Sequence, residues 1–371
     1  MISDTVAPAA KPLRKQTSKT LLAIDGGGIR GLIALQFLKR IEEIARARSN
    51  DPELVLSQCY DYIGGTSTGG IIASGLSLGM SVNEIEAHYL ASGQSMFKKN
   101  RNPTKWFNAL YQADEMGKVL QKVFGKDTEL GAVNANTLLM LVMHNADTTS
   151  TWPVSSNPNA KYNYPYDAKS NLKIKLWQLV RASAAAPVYF EPQVINTGDK
   201  SHRFYDGGIT PYNNPAFKLF QMATLPEYNL NWETGEDKIL LTSIGTGILE
   251  KPPKLFNVVS SVQNALRALA ATSTAEQDLI CRSFAKVIAG EEIDLEVGHR
   301  KSSPPIGGVP LFTYARYNVK IDSKSLSDRG LNFKENITFD LDNLDSVPAC
   351  IEIGKVAAKQ YIASDHFEGF W

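Results

Sequence analysis

The tightest constraint on this chain is the pentapeptide Gly65-Thr66-Ser67-Thr68-Gly69, which follows the apolar stretch Tyr60-Asp61-Tyr62-Ile63. A G-x-S-x-G in that setting predicts a sharp strand-to-helix turn that forces the serine into a strained conformation and lifts its hydroxyl clear of the sheet. Gly65 and Gly69 are expected where a side chain would collide with a neighbouring strand or helix. Residues 70–76 then read as a buried helix whose N-terminus points at Ser67. Average glycine and serine usage would produce such a pentapeptide in roughly one chain in ten of this length. The flanking Gly64 and Gly70 therefore carry part of the weight.

The chain has 371 residues, enough for one large domain or two ordinary ones. With 39 basic and 38 acidic residues its formal net charge is +1, so no global field points to a nucleic acid polymer. Cys59, Cys281 and Cys350 are odd in number and far apart, which disfavours a disulfide framework and suits a reducing, cytoplasmic setting. Residues 1–20 carry Lys11, Arg14, Lys15 and Lys19 among Ala, Pro, Ser and Thr. They lack the apolar core of a secretory signal and are expected to be a disordered basic tail.

Residues 21–24 begin the ordered chain as a central strand, and a helix follows with Ala34, Phe37, Leu38, Ile41, Ile44 and Ala45 on one stripe. Gly79 ends the helix after the serine turn, and Ser81 with Glu84 gives the capping-box signature of the next. Residues 138–143 read as a buried strand, 148–170 as the longest loop, and 172–185 as a helix stopped by Pro187. Further on come a buried strand at 238–247, a helical segment at 258–289, a strand-like run at 311–321 and a terminal helix at 347–363. Strands alternating with helices predict a three-layer α/β architecture around a mostly parallel sheet. The expected organisation is the 1–20 tail, a unit at 21–250, and a helical and strand extension at 251–371 packed on it.

A serine nucleophile needs a base for its proton and donors for the oxyanion. Gly26, Gly27 and Gly28 let main-chain N–H groups converge, the helix behind them adds positive potential, and Arg30 adds charge near a phosphate or a developing oxyanion. Gly26, Gly28 and Gly31 also satisfy G-x-G-x-x-G, but the acid that would hold a ribose about twenty positions on is missing, since residues 44–51 belong to a helix and its exit. A Walker phosphate loop fails because no Gly-Lys-Ser/Thr follows. For the base, His299 or His366 would suit a triad in hydrolase chain order. Asp206, in Arg203-Phe204-Tyr205-Asp206-Gly207-Gly208-Ile209, competes, because partial desolvation beside the serine would raise its proton affinity.

Four separated blocks together resemble the patatin-like phospholipases, serine acyl hydrolases with a Ser-Asp dyad. They are the Asp25–Gly31 turn, Gly65 to Gly69, Arg181-Ala182-Ser183-Ala184-Ala185-Ala186-Pro187-Val188-Tyr189-Phe190, and Asp206-Gly207-Gly208 continuing to Asn213-Asn214-Pro215. Ile244-Gly245-Thr246-Gly247 is similar to a later strand end of the family. The resemblance implies Ser67 as nucleophile, Asp206 as base, and Gly26, Gly27, Gly28 and Arg30 serving the oxyanion, with Gly207 and Gly208 in the dyad loop. It implies no metal and no cofactor; the nearest calcium-loop look-alike, at residues 340–345, lacks the turn glycine and final glutamate.

The substrate so implied is a phospholipid or another acyl lipid. A general carboxylesterase, a thioesterase, a galactolipid hydrolase and a non-catalytic phosphate-binding module remain open. Aromatic and basic residues interleave in Met96-Phe97-Lys98-Lys99-Asn100-Arg101 and Lys105-Trp106-Phe107, a composition suited to peripheral contact with an anionic membrane. Bacterial patatin-like effectors of anti-phage signalling resemble this chain in length and layout, which implies activation by a cyclic nucleotide. No nucleotide site is legible in residues 250–371.

Overall fold

The computed structural model describes residues 13–96, 109–133, 136–164, 169–198, 200–249, 258–333 and 337–371. Strand β1 (Lys19–Ile24) is fully apolar at its core because both of its faces are covered: Leu21 and Ala23 pack into one apolar layer, Leu22 and Ile24 into the other. Helix α1 (Gly31–Ser49) buries the whole predicted stripe from Ala34 to Ala45. Strand β2 (Tyr62–Thr66) runs into α2 (Thr68–Ser77), and α3 (Val82–Met96) follows. The capping box forms as expected, with the Ser81 N–H donating to Glu84 at 2.8 Å and the Glu84 N–H to the Ser81 hydroxyl at 3.3 Å.

After α4 (Ala113–Phe124) come β3 (Leu138–Asn145), β4 (Ser150–Ser155), α5 (Leu176–Ser183), β5 (Gln193–Asn196), β6 (Ser201–Asp206) and α6 (Ala216–Thr224). The chain continues through β7 (Ile239–Ile244), α7 (Val258–Phe284), β8 (Ala285–Ala289), β9 (Phe312–Tyr317), α8 (Ser323–Asp328) and α9 (Val347–Tyr361). The strands form one sheet in the order β5-β6-β3-β2-β1-β7-β9-β8, with β4 also on β3. The six from β3 through β2, β1, β7 and β9 to β8 are parallel, while β4 and β6 run against β3. Helices cover both faces, so the expected three-layer, mostly parallel α/β architecture is what the chain adopts.

One register detail positions everything that follows. β2 pairs with β3 as far as Thr66 opposite Val142, and β6 pairs with β3 from the other direction, ending with Asp206 opposite Met143. β4 occupies the opposite edge of β3 along the same residues, so β2 and β6 must share one edge and end against each other. Residues 67 and 206 are thereby brought to one point of the sheet.

Four local expectations need correction: of the tail expected over 1–20, residues 13–20 are ordered, with Arg14 donating to the Tyr60 carbonyl at 2.7 Å and β1 starting at Lys19. Within 148–170, Ser150–Ser155 is a strand; its Pro153 is tolerated because β4 pairs with β3 alone and needs no ladder N–H on the outer side. The helix expected over 172–185 is shorter, with a 3-10 turn at Asn171–Lys173 before α5 starts at Leu176. The segment 258–289 is not one helix: the chain leaves α7 at Phe284 and enters β8 directly, to pair with β9. The aromatic and basic stretch lies, apart from Met96, outside the described residues. No helix among the described residues is long and apolar enough to cross a membrane.

Candidate active site

Ser67 stands between the last residue of β2 and the first of α2 with φ 56° and ψ −123°, a conformation that costs a non-glycine residue of order 1–3 kcal/mol. The surrounding structure enforces it. A Cβ at position 65 would lie 2.1 Å from the Gly69 carbonyl oxygen, and one at position 69 would lie 2.2 Å from that of Ile24. Both glycines are therefore dictated by backbone passing backbone. The Ser67 N–H donates to the Ser183 hydroxyl at 3.0 Å, which in turn donates to the Val142 carbonyl at 2.7 Å.

The Ser67 hydroxyl donates to the Asp206 carboxylate at 2.7 Å. The other carboxylate oxygen accepts the Gly208 N–H at 2.7 Å, and the Asp206 N–H donates to the Ala185 carbonyl at 3.0 Å. Asp206 is buried, and burial pushes its carboxyl from the ordinary 3.8 up to about 6, against the lowering effect of the Ser67 and Gly208 hydrogen bonds. Ser183 and Ala185 both come from the block at residues 181–190, so that segment fixes the two members of the pair. No imidazole stands between them: His299 is exposed with its ring near the Gly290 carbonyl, and His366 bonds the Tyr317 hydroxyl at 2.7 Å.

The glycine turn after β1 faces this pair. The Gly26 N–H is taken by the Asn213 carbonyl at 3.1 Å, and the Gly26 carbonyl accepts the Thr246 hydroxyl at 2.9 Å. Among the described residues the N–H groups of Gly27 and Gly28 have no acceptor. Gly28 adopts φ 58° and its carbonyl accepts the buried Tyr89 hydroxyl at 2.5 Å. With its single proton so committed, the Tyr89 oxygen accepts from Thr68 at 2.6 Å, tying the glycine turn to the first residue of α2. Arg30 donates to the Gly247 carbonyl at 3.2 Å, its Nε is buried without a partner among the described residues, and burial lowers its pKa to about 10. Of the remaining sequence candidates, Gly207 begins the turn after β6 and Gly208 supplies the N–H already described.

Behind the glycine turn lies a fully buried ion pair between Asp25 and Arg316. Burial pushes the Asp25 carboxyl up and the guanidinium pulls it back; burial likewise opposes the Arg316 charge, which the carboxylate more than restores.

Ser67, Asp206 and the three glycines open onto one cavity of about 510 Å³. Much of its wall is apolar, formed by Ile71, Met116, Pro187, Phe190, Leu249 and Leu341 among others, while Arg30, Glu291, Glu292 and Lys320 also line it. Asn264, Arg267, Ala271, Thr274, Asp278 and Arg282 follow one another at spacings of three and four, which turns one face of α7 onto the cavity. Sequence reasoning gave no role to this face or to Ser183, Tyr89, Thr246 or Asn213. The legible signal for Ser183 was its place in the 181–190 block, and for Asn213 its place in the run after Asp206.

The site is thus a strained serine, bonded directly to a desolvated carboxylate and facing free main-chain donors at the ends of parallel strands. Residues 22–220 match the family model described as patatin-like phospholipase, and the chain belongs to that family. Among curated relatives, Patatin-08 of Solanum tuberosum is 28% identical over 255 residues, 64% of this chain and 62% of that protein. Patatin-01 of the same plant is 29% identical over 246 residues, covering 62% and 60%. This chain therefore spans about three fifths of the length of these relatives. Two solved structures are similar at lower levels. VipD from Legionella pneumophila has a TM-score of 0.40 and 13% identity, over 94% of this chain and 67% of that one. Human GIVD cytosolic phospholipase A2, in complex with methyl gamma-linolenyl fluorophosphonate and terbium chloride, has a TM-score of 0.42 and 11% identity, over 94% and 58%.

Proposed function

We propose that this protein is a serine acyl hydrolase that cleaves carboxylic esters of phospholipids through Ser67 and Asp206. The observation that carries the reading is the 2.7 Å hydrogen bond from the Ser67 hydroxyl to Asp206, both of which line a cavity with a largely apolar wall. An exposed aspartate is too weak a base for an alcohol; one desolvated to about 6 is better matched to neutral pH. Asp206 takes the Ser67 proton as the oxygen attacks the ester carbonyl. The N–H groups of Gly27 and Gly28 receive the oxyanion, and the positive end of α2 adds to their potential. Collapse of the tetrahedral intermediate leaves an acyl-Ser67 and passes the proton from Asp206 to the departing lysolipid oxygen. Water, deprotonated by Asp206, then releases the fatty acid and restores the serine.

A cavity of about 510 Å³ suits one extended acyl chain and the ester, which favours a lipid over a short ester. The family membership and the largely apolar wall support the same substrate class. Incubation with phospholipid, galactolipid, acylglycerol and acyl-CoA, with products read by mass spectrometry, tests the assignment. Expected are lysophospholipid and free fatty acid from the wild type and none from Ser67→Ala. Hydrolysis of acyl-CoA or galactolipid alone replaces the substrate class and keeps the chemistry; no hydrolysis of any ester favours the phosphate-binding module. The same assay with a panel of cyclic dinucleotides tests activation by a signalling nucleotide, and unchanged turnover rejects it. Peripheral membrane contact is tested by vesicle co-sedimentation.

A further inference from the structure

Arg316 sits on β9, in the part of the chain beyond residues 22–220 that the family model matches. Its register partner is Ser243 on β7, and β7 in turn pairs with β1, whose last residue Ile24 lies opposite Ile244. From β9 across β7 to the end of β1 is two strand spacings, about 10 Å. The Arg316 side chain makes that crossing. Its Nη1 donates to the Ser243 hydroxyl at 2.7 Å and to one oxygen of Asp25 at 2.9 Å, and its Nη2 donates to the other oxygen at 2.5 Å. Asp25 is the residue from which the glycine turn springs, and its N–H is held by the Ile244 carbonyl at 3.0 Å.

The two side chains are only 3% and 2% exposed, so the pair has been taken almost wholly out of water where it borders the cavity. Desolvation makes such a pair a poor source of stability, and well-packed apolar residues often replace one without loss. What a forked guanidinium supplies and an apolar residue does not is orientation: two parallel hydrogen bonds fix the plane of the carboxylate. That plane matters because Gly26, next in the chain, is also pinned on both sides, by the Asn213 carbonyl and the Thr246 hydroxyl. With Asp25 and Gly26 both held by hydrogen bonds, the peptides carrying the Gly27 and Gly28 N–H groups have an anchored root.

Resting on the hydrolase reading above, we propose that Arg316 is a positioning residue for the reaction: by clamping Asp25 from two strands away it aims the Gly27 and Gly28 N–H groups at the oxyanion. The strand contributed by the C-terminal third then belongs to the catalytic apparatus: Arg316 borders the cavity but acts through Asp25.

A structural role alone and a positioning role separate in the kinetics. Arg316→Lys keeps the charge but offers a single donor point, and Asp25→Asn combined with Arg316→Met removes both charges together and so leaves no buried ion unpaired. Loss of one oxyanion donor typically lowers turnover by about 100- to 1,000-fold. Expected for the double variant is a fall in kcat of at least about tenfold toward that range, with KM nearly unchanged and cooperative unfolding retained. Arg316→Lys should fall between it and the wild type. A folded double variant or Arg316→Lys variant with wild-type kcat overturns the proposal, as does a loss that appears only in KM. Failure of the double variant to fold assigns the pair to stability, and overturns the proposal if Arg316→Lys is then fully active. Failure of the hydrolase reading looks different, because the wild type itself would then hydrolyse no ester.

Discussion

The Ser183 hydroxyl accepts the Ser67 N–H at 3.0 Å and donates its own O–H to the Val142 carbonyl at 2.7 Å. A side chain on α5 thus anchors the strained serine to the central strand on which β2 and β6 meet. Ser183→Ala leaves a buried N–H and a carbonyl unpaired, and each unpaired buried group costs about 1–3 kcal/mol. Expected is a loss of about 2 kcal/mol in urea unfolding, together with reduced turnover. Wild-type stability would mean that the turn holds itself.

On the proposed mechanism, the Asp206 carboxyl, raised by burial to about 6, sets the acid side of the pH profile. The base must be ionised to take the serine proton, so kcat/KM should fall tenfold per unit of acidification below about 6 and level off above it. A profile flat down to pH 4.5 would remove Asp206 from the role of base.

The same shift makes a statement about stability. Because the folded value of about 6 lies above the ordinary 3.8, the native state binds the proton more readily than the unfolded state. Asp206 therefore costs stability above pH 6, by about 3 kcal/mol, and the cost fades as the pH falls toward 3.8. Asp206→Asn removes the charge but misplaces one hydrogen bond, so a net gain of about 1–2 kcal/mol at pH 8 is expected, vanishing near pH 4. Thermal unfolding of both proteins across that range checks it; a variant less stable at pH 8 contradicts it.

Gly69→Ala places a methyl group 2.2 Å from the Ile24 carbonyl oxygen, backbone against backbone, where no rotamer relieves it. A loss of about 1–3 kcal/mol and of activity is expected, measured by unfolding and turnover; a stable, active variant would mean that β1 and α2 separate easily.

Tyr89→Phe is the gentler perturbation of the glycine turn. It keeps the buried ring, leaves the Gly28 carbonyl with only the Gly31 N–H, and removes the partner of the Thr68 hydroxyl. A loss of kcat without a comparable change in KM is expected, read from steady-state kinetics; an unaltered kcat would show that Gly28 is held by the rest of the turn.

Much of this arrangement is legible in the sequence because its causes are local. Gly65 and Gly69 are demanded by close backbone approach, the Gly26 to Gly28 turn by converging N–H groups, and Asp206 by its place between a short strand and two glycines. What is not legible depends on where distant segments land. Nothing in the neighbourhood of Arg316 says that its side chain will cross β7 to reach Asp25. Ser183 and Tyr89 look like ordinary helix residues until the helices are packed. β8 is hidden because no glycine or proline separates Phe284 from Ala285 to announce the end of α7. β4 is hidden by Pro153, which an edge strand tolerates.

Reaction with a fluorophosphonate, followed by peptide mapping, tests the Ser67–Asp206 pair most directly, because the phosphonyl oxygen mimics the oxyanion and the bond forms at the nucleophile. Expected is a single adduct on Ser67, formed about 100- to 10,000-fold more slowly in Asp206→Asn. An adduct on another residue, or labelling of Ser67 at an unchanged rate without the Asp206 carboxylate, would contradict the assignment.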